Sequence, residues 1–243
     1  MLTAVTEARV RHAWDIPPAE AVQVQRRLHP KLILDTAPGI VNILAGVDVS
    51  FSRHSKTLYA AIVLLDLTRP VFSKNGKQIA SFEILETVST SLHVDFPYIP
   101  GLLSFREAPV VLKAWEKLRH RPDCLICDGQ GIAHPRRFGL ASHLGLLLDL
   151  PAIGCAKSRL CGTYQMPGVE KGDCADLTDE DEVIGAVLRT RKGVKPVFVS
   201  QGHRMTLRRA VEIVLSALGR YRLPEATRMA HHAVNAARRE GAA

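Results

Sequence analysis

The stretch 124-CLICDGQGIAHPRRFGLASHLG-145 decides how the rest of the chain is read. Cys124-Leu125-Ile126-Cys127 is apolar without a break, the pattern of a short strand buried on both faces. The run stops at Asp128. Gly129 and Gly131 follow, a residue type that lets a backbone or a nucleotide approach closely. His134 and Pro135 come next, with Pro135 placed to open a helix that runs to about Asp149. An acidic residue at the carboxyl end of a central strand stands where open α/β sheets place their ligands.

Working outward, residues 40–51, 58–67 and 79–88 read as three strands joined by short polar links, an antiparallel meander. Residues 1–15 read as a loosely held arm, and Pro17-Pro18 open a helix to about Leu28. Pro109 to about His120 is predicted as a helix. Strand 124–127, helix 135–149 and strand 151–156 then follow. Three antiparallel strands, then helix, strand, helix, strand is the element order of a ribonuclease H-like mixed α/β sheet flanked by helices. Beyond Lys157, residues 173–182 are acidic and read as a solvated loop. Residues 183–190 and 195–200 form a hairpin turned at Lys192-Gly193. Helices over 206–218 and from Pro224 onward complete the chain. No linker or repeat divides it, so residues 1–243 are read as one domain.

Apolar residues make up 47% of the 243, which places the chain among globular proteins and excludes a disordered one. Lys and Arg total 32 against 24 Asp and Glu, a net charge of +8 that favours a polyanion partner, nucleic acid first. No apolar run reaches the length of a membrane span and no secretion signal opens the chain, so the expectation is a cytoplasmic, non-membrane protein. Cys124 and Cys127 have CxxC spacing, but side chains three apart on a strand point to opposite faces, which opposes a shared zinc.

Asp48 sits inside an apolar strand, AGVDVS at 45–50, where a charge is costly unless it is paired or bound to a metal. If strands 40–51 and 124–127 are neighbours, Asp48 and Asp128 meet. Two close carboxylates repel, and a divalent cation that prefers oxygen, Mg²⁺ with Mn²⁺ as a substitute, removes the repulsion. Glu107 belongs either to a capping box with Ser104 or to the site. Pro109 as a first-turn residue would leave Glu107 just before its helix and free to face the acids. His231 shares a helix face with Arg228 and Asn235. Lys157 follows its strand directly, as Asp128 does, and suits contact with a phosphate. Pro97-Tyr98-Ile99-Pro100 is either core packing or a stiff, exposed aromatic wedge.

Several stretches in order resemble the endonuclease V family, the deoxyinosine 3′ endonucleases: GVDVSF (46–51), FPYIPGLLSFRE (96–107), DGQGIAHPRRFGLASHLG (128–145), AKS (156–158), VLRTRKGVKPVFVS (187–200), GHR (202–204) and RLPEATRMAH (222–231). The chain departs from the family at Gln201, where Pro is common, and at Ala108, where Gly is frequent. The resemblance implies that Asp48 and Asp128 are metal ligands, with Glu107, Lys157 and His231 completing the catalytic set. It implies that Tyr98 is a wedge on a tip formed with Pro97, Ile99 and Pro100, and that Gly129, Gly131, His134 and Arg222 lie along the nucleic acid. The implied reaction is Mg²⁺-assisted hydrolysis of the second phosphodiester bond 3′ to deoxyinosine in DNA, with the base flipped and left in place. Glu107 and His231 would orient or deprotonate the attacking water. Inosine-containing RNA as the substrate, or an inactive nucleic-acid-binding module on the same fold, are the rival readings. The expected state is a monomer.

Overall fold

The computed structural model describes residues 12–52, 55–72 and 78–241. Helix α1 (Pro18–Leu28) precedes strands β1 (Ile43–Phe51), β2 (Thr57–Asp66), β3 (Val71–Phe72), β4 (Gln78–Ala80) and β5 (Glu83–His93). Next come α2 (Leu103–Trp115), β6 (Cys124–Cys127), α3 (Leu140–Leu148), β7 (Ala152–Ala156) and β8 (Thr163–Tyr164). The chain continues through β9 (Cys174–Asp179), β10 (Glu182–Leu188), β11 (Val197–His203), α4 (Leu207–Ser216) and α5 (Glu225–Gly241).

Nine strands form one sheet in the order β5-β2-β1-β6-β7-β11-β10-β9-β8. β5, β2 and β1 are antiparallel, whereas β1, β6 and β7 run parallel. The result is the ribonuclease H-like mixed sheet expected from the element order. The parallel register is the important one for the site. Val47 pairs with Cys127, so Asp48 and Asp128 are the next residues on adjacent strands. The Asp128 amide donates to the Val47 carbonyl at 3.2 Å, extending the ladder by one step.

Alternation along each strand feeds a core on either side of the sheet. Ala45, Val47, Leu125 and Cys127 face α1, α2 and α3, packing with Phe105, Val111 and Leu144. Leu44, Cys124, Ile126 and Val199 face α4 and α5, packing with Ile213, Val214, Ala226 and Ala230. Cys124 and Cys127 therefore lie in different cores. Asp48 shares the face of Leu44 and Gly46, toward α5. At Gly46 a Cβ would lie 2.1 Å from the backbone carbonyl carbon of Ala226. Glycine here lets the first turns of α5 rest directly on β1, which brings His231, further along the helix, over Asp48. Thr206 caps α4, its side chain accepting from the Arg209 amide at 3.3 Å. Among the described residues no helix is long and apolar enough to cross a membrane.

Several expected boundaries move. The third long strand is Glu83–His93, not 79–88; residues 78–80 pair instead with Val71–Phe72 in a small separate ribbon. The polar links at 53–54 and 73–77 and residues 1–11 of the arm lie outside the described residues. Its next residues are not loose. His12 meets His143 at 2.7 Å, and Trp14 sets its ring edge-on to Phe105 with centroids 6.0 Å apart. α2 begins at Leu103, with Pro109 inside it. Burial of Phe105, Ala108 and Val111 along that helix outweighs the one hydrogen bond that proline removes. α3 begins at Leu140, not Pro135, because Arg137 takes a left-handed conformation (φ 52°) that no helix accepts. Residues 173–182 are not a solvated loop. They supply β9 and the start of β10, and Asp179 and Glu182 hold Arg137 at 2.8 and 2.6 Å.

Candidate active site

Five elements, β1, β6, β7, α2 and α5, bring acids and cations together near the carboxyl ends of β1 and β6. Asp48 accepts from its neighbour's amide, Val49, at 2.9 Å, and its second oxygen lies 2.7 Å from Nδ1 of His231 on α5. Carboxylates accept only, so the His231 proton sits on Nδ1. Asn235 Nδ2 lies 3.1 Å from Nε2 and donates to the His231 carbonyl at 2.8 Å. Asn235 also accepts from Ser50 Oγ at 3.1 Å, tying α5 back to β1. Asp128 forms a salt bridge with Lys157, which leaves β7 as Asp128 leaves β6. Arg228, on the same helix face as His231, turns away to Glu225 at 2.6 Å.

Glu107 occupies the fifth position of α2 and faces the cavity beside Asp128. Ser104 does not cap that helix; its hydroxyl bonds His143 Nδ1 at 3.0 Å. Part of the Glu107 surface stays open to the cavity while protein atoms pack densely around its carboxyl. Burial, then the charges of Asp48 and Asp128, push its pKa up to about 8. Burial raises Asp48 as well, followed by the charge of Asp128, against the opposing pull of His231 and Lys157. Crowded acids of this kind mark functional sites more than stable packing.

The donor set can be tested against a divalent cation. Asp48 and Asp128 present hard carboxylate oxygens on adjacent parallel strands; Asp48 meets one amide and His231, and Asp128 pairs with Lys157. Among the described residues no group of three or more His, Cys, Asp or Glu side chains forms a closed metal cage. Magnesium keeps several waters and takes one or two carboxylates plus substrate phosphates, so an open pair fits it.

Beside the acids lies a cavity of about 350 Å³, within the roughly 300–1,000 Å³ range of small-ligand pockets. Tyr98, Gly101, Leu103, Glu107, Gly129 and Gln130 are among its walls. Tyr98 is 58% exposed, so the tip is not core packing; its ring lies 6.1 Å from that of Phe51. Pro97 and Pro100 are exposed and Ile99 is half-buried. Gly129 lines the cavity, but Gly131 does not. Its amide donates to Ser200 Oγ at 2.9 Å and its carbonyl accepts from Gly139 at 2.9 Å. A Cβ at Gly131 would lie 2.2 Å from the Gln201 carbonyl oxygen, so this glycine serves packing against β11. His134 is buried and hydrogen-bonded within the fold. Arg222 donates to the carbonyls of Lys157 and Pro196 at 2.9 and 2.6 Å, which holds the backbone of Lys157 in place.

Sequence reasoning missed Gln130, whose Nε2 donates to Ser158 O at 3.0 Å while its buried Oε1 has no partner. It also missed Gln25, which reaches the cavity from α1. Ser104, a candidate cap by sequence, stands one helical turn before Glu107 on the same face and lines the cavity with it.

Residues 26–232 match the Endonuclease V family model. The endonuclease V of Myxococcus xanthus is 50% identical over 227 residues, 93% of this chain and 92% of its own length. The crystal structure of endonuclease V from Streptomyces avermitilis superposes with a TM-score of 0.86 at 40% identity, covering 96% of this chain and 98% of that one. The Ciona intestinalis endonuclease V, crystallised with a 24mer DNA containing an inosine followed by a ribo-adenosine, gives a TM-score of 0.72 at 26% identity over 91% of this chain and 98% of its own.

Proposed function

The chain belongs to the endonuclease V family of nucleases, and we propose that it recognises deoxyinosine in DNA and hydrolyses the second phosphodiester bond 3′ to that lesion, leaving the lesion in place. The observation that carries this reading is the pair Asp48 and Asp128, set side by side by the β1–β6 register, with Asp128 and Glu107 on the wall of a cavity of about 350 Å³.

A magnesium ion held by Asp48 and Asp128 would supply charge stabilisation at the reacting phosphate and the departing 3′ oxygen. The protein's own groups do the rest. Glu107, its pKa raised to about 8, takes the proton of the attacking water from its ionised form. The geometry favours Glu107 over His231 for this step because both ring nitrogens of His231 are engaged, by Asp48 and by Asn235. His231 instead orients Asp48. Lys157, which pairs with Asp128, would be released to the approaching phosphate if Asp128 held a cation. Tyr98 fills the gap left by the flipped base, which enters the cavity against the backbone of Gly129. A single domain and a monomer suffice, since every residue in this scheme comes from one chain.

The Ciona complex supports an inosine substrate, and the ribo-adenosine beside its inosine keeps an RNA reading open for this chain. Matched DNA and RNA oligomers with one inosine each distinguish the two; faster cleavage of the RNA overturns the DNA reading. Asp48→Ala and Asp128→Ala should each abolish magnesium-dependent nicking of inosine DNA. Nicking that survives in both rules out the proposed site.

A further inference from the structure

The carbonyl oxygen of Gly101 accepts three side-chain hydrogen bonds. Gln25 Nε2 on α1 reaches it at 3.0 Å, His134 Nε2 at 2.8 Å and Arg136 Nη2 at 2.6 Å. A carbonyl has two lone pairs, so this one is crowded beyond its usual capacity, and one of its donors is a cation. The donors also bind each other. Gln25 Oε1 accepts from Arg136 Nε at 2.5 Å, and His134 Nδ1 accepts from the Arg136 amide at 3.1 Å. Gln25 Nε2 is further held by Phe138 O at 3.1 Å. Gln25 and His134 are almost fully buried, at 1% and 3% exposure. A buried polar network of this kind is stabilising only when its members are satisfied, and then it holds one geometry.

The held atom is not an arbitrary one. Gly101 directly follows the Pro97–Pro100 tip, and the Leu102 amide closes a turn onto Ile99 O at 2.9 Å. Gly101 has φ +80°, and a Cβ there would lie 2.9 Å from Arg136 Nη2, so the position admits only glycine if the guanidinium is to keep its place. Gln25, Gly101 and His134 also line the cavity. The hinge of the exposed tip and the cavity wall are thus one rigid piece, fixed from two directions by α1 and by residues 134–136.

We propose that Gln25, His134 and Arg136 are positioning residues that clasp Gly101 and set Tyr98 at the distance from the cavity that lesion discrimination requires. The inference rests on the wedge reading of Tyr98 above. None of the three need touch the nucleic acid; each acts through the Gly101 carbonyl.

The test is the ratio of affinities for an inosine-containing and an undamaged DNA duplex, measured by fluorescence anisotropy in EDTA, where metal-assisted cleavage does not proceed. Arg136→Met should lower this ratio about tenfold, the size of one lost charge-assisted hydrogen bond. Arg136→Lys should restore part of it. Gln25→Leu, which leaves two donors on Gly101, is the milder second variant, and thermal melting checks that each is folded. The decisive arm is the same substitutions in a Tyr98→Ala background, where the clasp has no ring left to position and their effect should vanish. A ratio unchanged in folded Arg136→Met and Gln25→Leu overturns the clasp, as does an equal loss with and without Tyr98. A wild-type protein with no preference for inosine overturns the substrate reading and this inference together, a result distinct from the other two.

Discussion

His231 Nδ1 lies 2.7 Å from Asp48 Oδ2 across the gap between the last helix and the first strand, 183 residues apart in sequence. In the function proposed above, this contact commits the Nδ1 proton of His231 to Asp48, and the ring aims that carboxylate. Outer partners of this kind typically change metal affinity or activity by about 10–100-fold. His231→Ala should therefore raise the magnesium concentration needed for half-maximal nicking by about that factor. His231 is exposed, so the fold should be unaffected, and a melting curve checks this. An unaltered magnesium dependence would show that the ring acts elsewhere in the reaction.

The close rest of α5 on β1 makes a second expectation. Gly46→Ala places a methyl group where Ala226 C and O already stand, each 2.1 Å from its Cβ. Backbone cannot turn aside as a flexible side chain can, so α5 must lift. Overpacking of this sort costs typically about 1–3 kcal/mol, and an ångström of displacement in a catalytic group costs about a hundredfold in rate. Gly46→Ala should lower the melting temperature and reduce nicking more than its stability loss explains, because His231 moves off Asp48. Full activity at a temperature where the variant is folded would contradict this coupling.

Glu107 makes a third. A general base must be deprotonated, and the carboxyl of Glu107 is pushed up from 4.5 to about 8 by burial and the two aspartates. A cation held by the two aspartates would offset their charges and bring the value partway down. The nicking rate should therefore rise with pH through an apparent pKa lying between those two figures. Glu107→Gln should lose about 10²–10⁴ in rate, the usual share of a general base, and should lack this acidic limb. An identical pH profile in the variant would assign the limb to another group.

The parts of this molecule that were readable in sequence are those set by local apolar pattern. The β1 and β6 runs are apolar up to a single acid, and the element order makes them neighbours, so the meeting of Asp48 and Asp128 is legible in the sequence. Tyr98 between two prolines was ambiguous locally, and only its exposure decides that it stands out from the surface. Where reading failed, distant partners had overruled local rules. Pro109 looked like a helix start, but Phe105 and Ala108 gain their burial only if α2 begins six residues earlier. Pro135 looked like another start, but Arg137 is drawn out of helical geometry by Asp179 and Glu182, more than forty residues away. Gly131 looked like a place for a ligand and is instead closed by Gln201 of β11. Gln25 carried no local signal, because its partners Gly101, Arg136 and Phe138 come from two remote segments.

Burial of His134 gives the last expectation, on acid stability. Its Nε2–H donates to Gly101 O and its Nδ1 accepts from the Arg136 amide, so the folded protein holds it neutral. Burial lowers its pKa from 6.5 to about 4; the Gly101 bond opposes this, and the nearby charges of Arg136 and Arg137 add to it. In the unfolded chain the ring protonates near 6.5. Between those values the unfolded state binds more protons than the folded one, so stability falls as pH drops from 6.5 toward 4 and the contribution is complete above 6.5. At 1.36 kcal/mol per pKa unit, the whole window is worth roughly 3 kcal/mol, of which about 2 kcal/mol is lost by pH 5. His143, buried beside His12 and also lowered, pulls in the same direction. Urea denaturation at intervals from pH 7 to pH 4.5 measures the slope. His134→Gln keeps a donor for Gly101 and removes the titration, so its stability should fall less steeply over this range than the wild type's. Equal slopes would show that His134 takes up its proton in the folded protein as readily as in the unfolded one.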